Sequence, residues 1–211
     1  MILSADSMIF LGCSYTRGHG LRYNNECYTS ILSADLNKKE INCSKGGSSN
    51  YNSFDTFSKI EFAQPHIPMV LQITELSRIK YYDAQKNLIR DRILSNEPSR
   101  TLFEIYTDKF LVYELDRHLN LSIKYARSMK VNLIIWSIAR AFDSETNQLI
   151  EDCLTQFKEY VYLSNALDSA DSYRVDNGTD GTLQLGTGHP GPESHKLIAE
   201  KLLVHYKKLY Q

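Results

Sequence analysis

The sequence of 211 residues predicts an α/β fold. The expected architecture is three α/β/α layers around a doubly wound, mainly parallel sheet of five strands. Three observations predict it. Short apolar runs alternate with amphipathic helical stretches along the chain, as strands joined by helical crossovers do. The run Met69-Val70-Leu71-Gln72-Ile73 is continuous enough to be buried on both faces, which parallel strands require. Turns of small residues follow the first two apolar runs, at the carboxyl ends of strands where open α/β sheets bind ligands.

Each element has its own signal. Met8 to Leu11 is the first strand, ending at once in a tight turn with Ser14 at its tip. Tyr28 to Leu36 reads as a helix with Ile31, Leu32 and Leu36 on one side. Ile41-Asn42-Cys43 is a short strand that breaks into the turn Ser44 to Asn50. Asn50 or Ser53 caps the next helix, which carries Phe54, Phe57, Ile60 and Phe62 until Pro65 and Pro68 stop it. Met69 to Ile73 is the third strand.

Residues 78–107 are rich in charge and tyrosine, contain Pro98, and show only a short amphipathic stretch from Leu88 to Leu94. They read as an insertion, either a lid over the site or a surface excursion. Asp108 then opens a long helix whose buried stripe is Leu111, Leu115, Leu119 and Ile123. Val131 to Trp136 is the fourth strand, Leu149 to Phe157 a weaker helix, and Tyr160 to Leu163 the fifth strand. The last helix buries Ile198, Leu202, Tyr206 and Leu209. Right-handed crossovers then favour a flavodoxin-like strand order in a single domain over 1–211.

Hydrophobic residues make up 42% and charged residues 23%, the balance of a soluble globular chain. A net charge of −1 and the lack of a basic patch give no reason to expect nucleic acid. No apolar run approaches membrane-spanning length. The N-terminus lacks the basic and apolar regions of a signal peptide, so a cytoplasmic location is the default expectation. The sequons at Asn42, Asn120 and Asn177 then read as chance matches. Cys13, Cys27, Cys43 and Cys153 form no C-x-x-C pair, and free buried thiols are expected, with a Cys13–Cys43 disulfide left open. No H-E-x-x-H spacing or lysine-bearing phosphate loop occurs, so neither metal nor cofactor is expected. The 14 tyrosines fit half-buried sheet packing or an aromatic cleft for sugars or bases.

The chemistry concentrates in two distant segments. Ser14 stands in Gly12-Cys13-Ser14-Tyr15-Thr16, at a strand tip. His189 stands in Gly186-Thr187-Gly188-His189-Pro190, just before the last helix. A serine hydroxyl is a weak nucleophile until a base takes its proton, and imidazole titrates near neutrality. Only folding can bring the two together.

These segments resemble the SGNH (GDSL-like) hydrolases. Gly12-Cys13-Ser14-Tyr15-Thr16 resembles the first block, with cysteine where aspartate usually precedes the serine. Gly46-Gly47-Ser48-Ser49-Asn50 resembles the second, and Gly188-His189-Pro190 the last. The resemblance spans nearly the whole chain. It implies a three-layer α/β/α fold and acyl-ester hydrolysis or transfer, with Ser14 as nucleophile and His189 as general base. The backbone N–H groups of Ser14 and Gly47 are the implied oxyanion donors, with Asn50 beside them. The implied substrate is a small-molecule or glycan-type acyl ester.

Two positions depart from the pattern. The third block usually carries an asparagine after the third strand, but here Thr74-Glu75-Leu76-Ser77-Arg78 follows. Thr74 or Arg78 could donate instead; Glu75 and Arg78 could equally pair with each other. The triad acid usually lies three residues before the histidine, where Gly186 stands. Asp176 or Asp180 could fold back to serve, or both could be turn residues; a dyad could also operate. Of these Asp180 is the candidate acid. His19 is a candidate for the pocket wall, His195 for packing or capping, and His66, His118 and His205 read as ordinary, partly exposed residues.

The leading expectation is therefore a serine esterase or O-acyltransferase working through an acyl-enzyme. The rival is a binding protein that kept the scaffold and lost turnover, because folds alone do not decide function. A third reading is an interaction module built on segment 78–107, anchored by tyrosines.

Overall fold

The computed structural model describes residues 2–74, 76, 78–83, 88–93, 107–138, 144–162, 174–177, 183–185 and 189–211. The strands are β1 (Ile2–Leu3), β2 (Ser7–Leu11), β3 (Lys39–Asn42), β4 (Glu61–Phe62), β5 (Pro68–Ile73), β6 (Arg78–Asp83), β7 (Leu88–Ile93), β8 (Asn132–Ser137), β9 (Val161–Tyr162), β10 (Arg174–Asn177), β11 (Leu183–Leu185) and β12 (His189–Pro190). The helices are α1 (Ser14–Arg17), α2 (Tyr28–Asp35), α3 (Asn50–Ser58), α4 (Asp108–Ser128), α5 (Ser144–Thr155) and α6 (Pro192–Tyr210).

Five strands form the central sheet in the order β3-β2-β5-β8-β9, every pair parallel. This is the flavodoxin-like order expected from the alternation of strands and helices. Both faces are covered, so β5 is buried along its whole length. Side chains alternate between two cores, as the two-residue strand period requires. Ile9, Leu11, Met69, Leu71, Leu133 and Ile135 face α3, α4 and α5. Met8, Phe10, Val70, Ile134 and Trp136 face α2 and α6. The α4 stripe of Leu111, Leu115, Leu119 and Ile123 is buried in the first core. Each such side chain contributes about 1.5–3 kcal/mol by leaving water.

Several local expectations are corrected. Helix α3 ends at Ser58 because Lys59 and Ile60 N–H close a tighter turn onto the carbonyls of Thr56 and Phe57. It therefore stops before Pro65, and Phe62 lies in β4, paired in parallel with β1. The residue capping α3 is Ser49 rather than Asn50 or Ser53. The amphipathic stretch at 88–93 is a strand: β6 and β7 pair antiparallel from Arg78–Ile93 to Asp83–Leu88, as a separate hairpin whose first strand runs beside α3. Helix α5 begins five residues before Leu149. All four cysteines are free, Cys13 and Cys43 included. His118 is buried rather than partly exposed, stacked on Phe54 with ring centroids 4.6 Å apart. Among the described residues no helix is long and apolar enough to cross a membrane.

Candidate active site

The site is assembled at the carboxyl ends of β2, β3 and β5. Helix α1 is a single turn starting at Ser14, after the extended residue Cys13, and Gly18 closes it in the left-handed conformation (φ 73°). The Ser14 N–H therefore lies in the first turn of a helix, where backbone donors lack intrahelical partners. Ser14 is buried, with 6% exposure.

Two cross-links tie this turn to its neighbours, and a third joins α3 to the residue after β5. Lys45 N–H donates to Gly12 O at 3.2 Å, tying the Gly46-Gly47 loop to the turn. Asn50 holds the main chain of Thr74 from both sides: Thr74 N–H donates to Asn50 Oδ1 at 2.7 Å, and Asn50 Nδ2 donates to Thr74 O at 3.2 Å. Gln72 Oε1 accepts the Cys13 N–H at 3.1 Å, the Cys13 thiol at 3.4 Å and the Thr16 hydroxyl. Gly12 is required by space. A Cβ there would lie 2.3 Å from Thr16 Oγ1 and 2.5 Å from Gln72 Oε1.

Behind Gln72 runs a buried hydrogen-bond chain. Trp136 Nε1–H donates to Tyr28 Oη at 3.3 Å, and Tyr28 O–H donates to Thr16 Oγ1 at 2.9 Å. Burial pushes the Tyr28 phenol well above its usual range, which keeps that proton in place. The chain joins α2, α1, β5 and β8 under the Ser14 turn. Sequence reasoning missed Gln72, Tyr28 and Thr16. One signal was available: Gln72 is a lone amide inside an otherwise apolar, fully buried strand.

His189 reaches this region from the far end of the polypeptide. It lies on β12, which pairs with β10, and Val175 is its cross-strand partner. Its ring sits 5.6 Å from Tyr15 and 4.6 Å from His19, centroid to centroid. The structure thus brings His189 against α1, on the residue that follows Ser14. His19 shares this cluster. Gly47 has φ 72°, the left-handed region that favours glycine, and a Cβ there would meet open space. Thr74 is buried, and its hydroxyl has no partner among the described residues. Arg78 opens the β6 strand directly after this loop. Asp176 lies in β10 rather than in a turn, next to the cross-strand partner of His189. Asp180 and Gly186 lie outside the described residues.

His195 packs one turn into α6, fully buried. Its Nδ1 accepts the Tyr28 N–H at 3.2 Å, and its ring stacks on Tyr28 at 5.9 Å. Burial, and then the nearby His189, push its pKa down to about 4, so the ring is neutral.

No protein-family model matches the sequence, and no curated protein matches it. Solved structures do match. The psychrotrophic esterase EstA from a Pseudoalteromonas species superposes with a TM-score of 0.59 at 15% identity, over 96% of this chain and 97% of that one. A member of the lipolytic protein G-D-S-L family from Veillonella parvula gives 0.53 at 15% identity, over 96% and 99%. The acetyl xylan esterase Est2A from the rumen bacterium Butyrivibrio proteoclasticus gives 0.53 at 14% identity, over 99% of this chain and 66% of that one. The chain has the fold of the SGNH, or GDSL-like, hydrolases.

Proposed function

We propose that this protein is a serine-dependent ester hydrolase or O-acyltransferase. Ser14 Oγ attacks the acyl carbonyl while His189 takes its proton. His189 then returns the proton to the departing alcohol, leaving an acyl group on Ser14. Water or an acceptor alcohol, deprotonated by His189, releases it. The backbone N–H groups of Ser14 and Gly47 receive the oxyanion, each worth about 3 kcal/mol in the transition state. The buried Thr74 hydroxyl, without a partner among the described residues, supports Thr74 as a third donor, with Arg78 as the further candidate beyond it. Asn50 holds Thr74 in position. Asp180 is the acid we assign to orient His189, and His19 lines the cleft.

One observation carries this reading: the His189 ring lies against Tyr15, the residue after Ser14 in its turn, and against His19 just beyond that turn. The solved esterases of the same fold support an acyl ester as substrate, and the acetyl xylan esterase among them favours an ester on a sugar.

The test is labelling by a fluorophosphonate probe together with turnover of short-chain aryl esters. Both are expected in the wild type and absent in Ser14→Ala. Labelling without aryl-ester turnover points to a narrow acyl group or a transfer reaction. No labelling, in a protein whose unfolding transition is intact, favours the binding-scaffold reading.

A further inference from the structure

A pocket lies beside the C-terminal end of α1, lined by α1, the segment after it, α2 and β3. It has a volume of about 320 Å³, at the lower end of the range for ligand pockets, about 300–1,000 Å³. Its wall is polar: Arg17, Asn24, Ser30, Glu40, Asn42 and Ser44 all face it.

Two of these residues carry opposite charges, and they do not pair. Among the described residues neither Arg17 nor Glu40 makes an ion pair. Glu40 is instead held rigidly by hydroxyls: Thr29 donates to Oε1 and Ser30 to Oε2, each at 2.6 Å. Asn42 is fixed just as firmly. Its Nδ2 donates to Thr16 O at 2.8 Å, and its Oδ1 accepts the Ser44 N–H at 3.1 Å. The pocket therefore offers an oriented carboxylate, amide and hydroxyl groups, and a guanidinium whose donors find no partner among the described residues.

The chemistry selects the ligand. A phosphate would meet the Glu40 carboxylate. A divalent cation would find one carboxylate and face Arg17. A neutral polyhydroxylated ring satisfies both ends, donating hydroxyls to Glu40 and accepting from Arg17. The volume suits one monosaccharide-sized unit.

The position ties this pocket to the Ser14 turn. Arg17 lies one helical turn after Ser14, about 5 Å along the axis. The Asn42 bond to Thr16 O grips that same turn from the pocket side. We propose that the pocket between Arg17 and Glu40 binds a sugar unit, the alcohol part of the ester cleaved at Ser14. The second half of this statement rests on the function proposed above; the first does not.

Two arms separate them. In the first, saturation-transfer NMR on Ser14→Ala protein uses methyl β-D-xylopyranoside and methyl α-D-glucopyranoside as probes, with glycine as competitor. At least one glycoside is expected to bind, and both Glu40→Gln and Arg17→Met should weaken it about tenfold, since each removes a charge-assisted hydrogen bond. Absence of binding by either glycoside, binding unaltered in both variants, or displacement by glycine would overturn the sugar site. Thermal unfolding of each variant confirms that it is folded.

In the second arm, kcat/KM is compared between acetylated methyl xyloside and 4-nitrophenyl acetate. The preference for the sugar ester is expected to fall about tenfold in each variant, the same lost bond read in the transition state. An unchanged preference, with sugar binding intact, would overturn the link to the ester. Loss of all turnover dependence on Ser14 would sink the catalytic reading while the first arm still decides the pocket.

Discussion

Gln72 Oε1 accepts the backbone N–H of Cys13, at 3.1 Å, from a position 59 residues further along the chain. Cys13 precedes Ser14, so a buried amide on β5 sets the backbone of the Ser14 turn at the end of β2. The same oxygen takes the Thr16 hydroxyl one turn later. A single acceptor thus fixes α1 at both ends of its first turn.

Replacing Gln72 by leucine removes that acceptor and leaves the Cys13 N–H and Thr16 O–H unpaired in the core. Each buried unsatisfied donor costs about 1–3 kcal/mol. Gln72→Leu should therefore lower the unfolding free energy by about 3 kcal/mol, measured by urea denaturation. A loss below about 1 kcal/mol would mean that water or a rearranged side chain replaces the amide.

Gly12 and Gly47 are glycines for different reasons, and alanine should separate them. At Gly12 the added methyl collides with Thr16 and Gln72, both fixed by hydrogen bonds. Overpacking of this kind costs about 3 kcal/mol. At Gly47 the methyl enters open space and only the left-handed backbone resists it, at about 1–2 kcal/mol. Urea midpoints of the two variants should rank accordingly, with Gly12→Ala the less stable. The reverse order would mean that the loop at Gly47 is held more tightly than its open surroundings suggest.

His195 makes stability depend on pH. Its pKa falls from 6.5 to about 4 on folding, so the unfolded chain binds the extra proton between those values. Stability from this residue is full above the unfolded value and is lost as pH falls towards the folded one. Between pH 7 and pH 5 the loss amounts to about 2 kcal/mol. Asparagine keeps an acceptor for the Tyr28 N–H but cannot titrate. The stability of His195→Asn should thus fall less over that interval, by about 2 kcal/mol, in urea titrations at the two pH values. Equal slopes in the two proteins would show that the His195 ring finds a proton acceptor in the folded state.

The layers and strand order were legible because apolar periodicity is a local property that records burial. The β5 run and the α4 stripe from Leu111 to Ile123 landed where their spacing put them. Element ends were less legible. Helix α3 stops at Ser58 through a turn closed by its own backbone, although the proline that should end it lies seven residues later. Segment 88–93 is amphipathic, but only pairing with 78–83 makes it a strand. At the site, Ser14, Gly47 and His189 were visible as residue types in small-residue contexts. Gln72, Tyr28 and Thr16 were not, since a polar residue among buried neighbours shows its purpose only beside its partners.

By itself the chain determined which segments become strands and helices, because burial leaves a repeat in the residues. It also marked where a nucleophile and a base could stand. Tertiary structure alone decided that His189 meets the helix that begins at Ser14, that Asn50 serves the Thr74 backbone, and that Arg17 and Glu40 face one pocket. Those relations join residues far apart along the chain, and hydrogen bonds over such separations depend on distances that only a folded chain possesses.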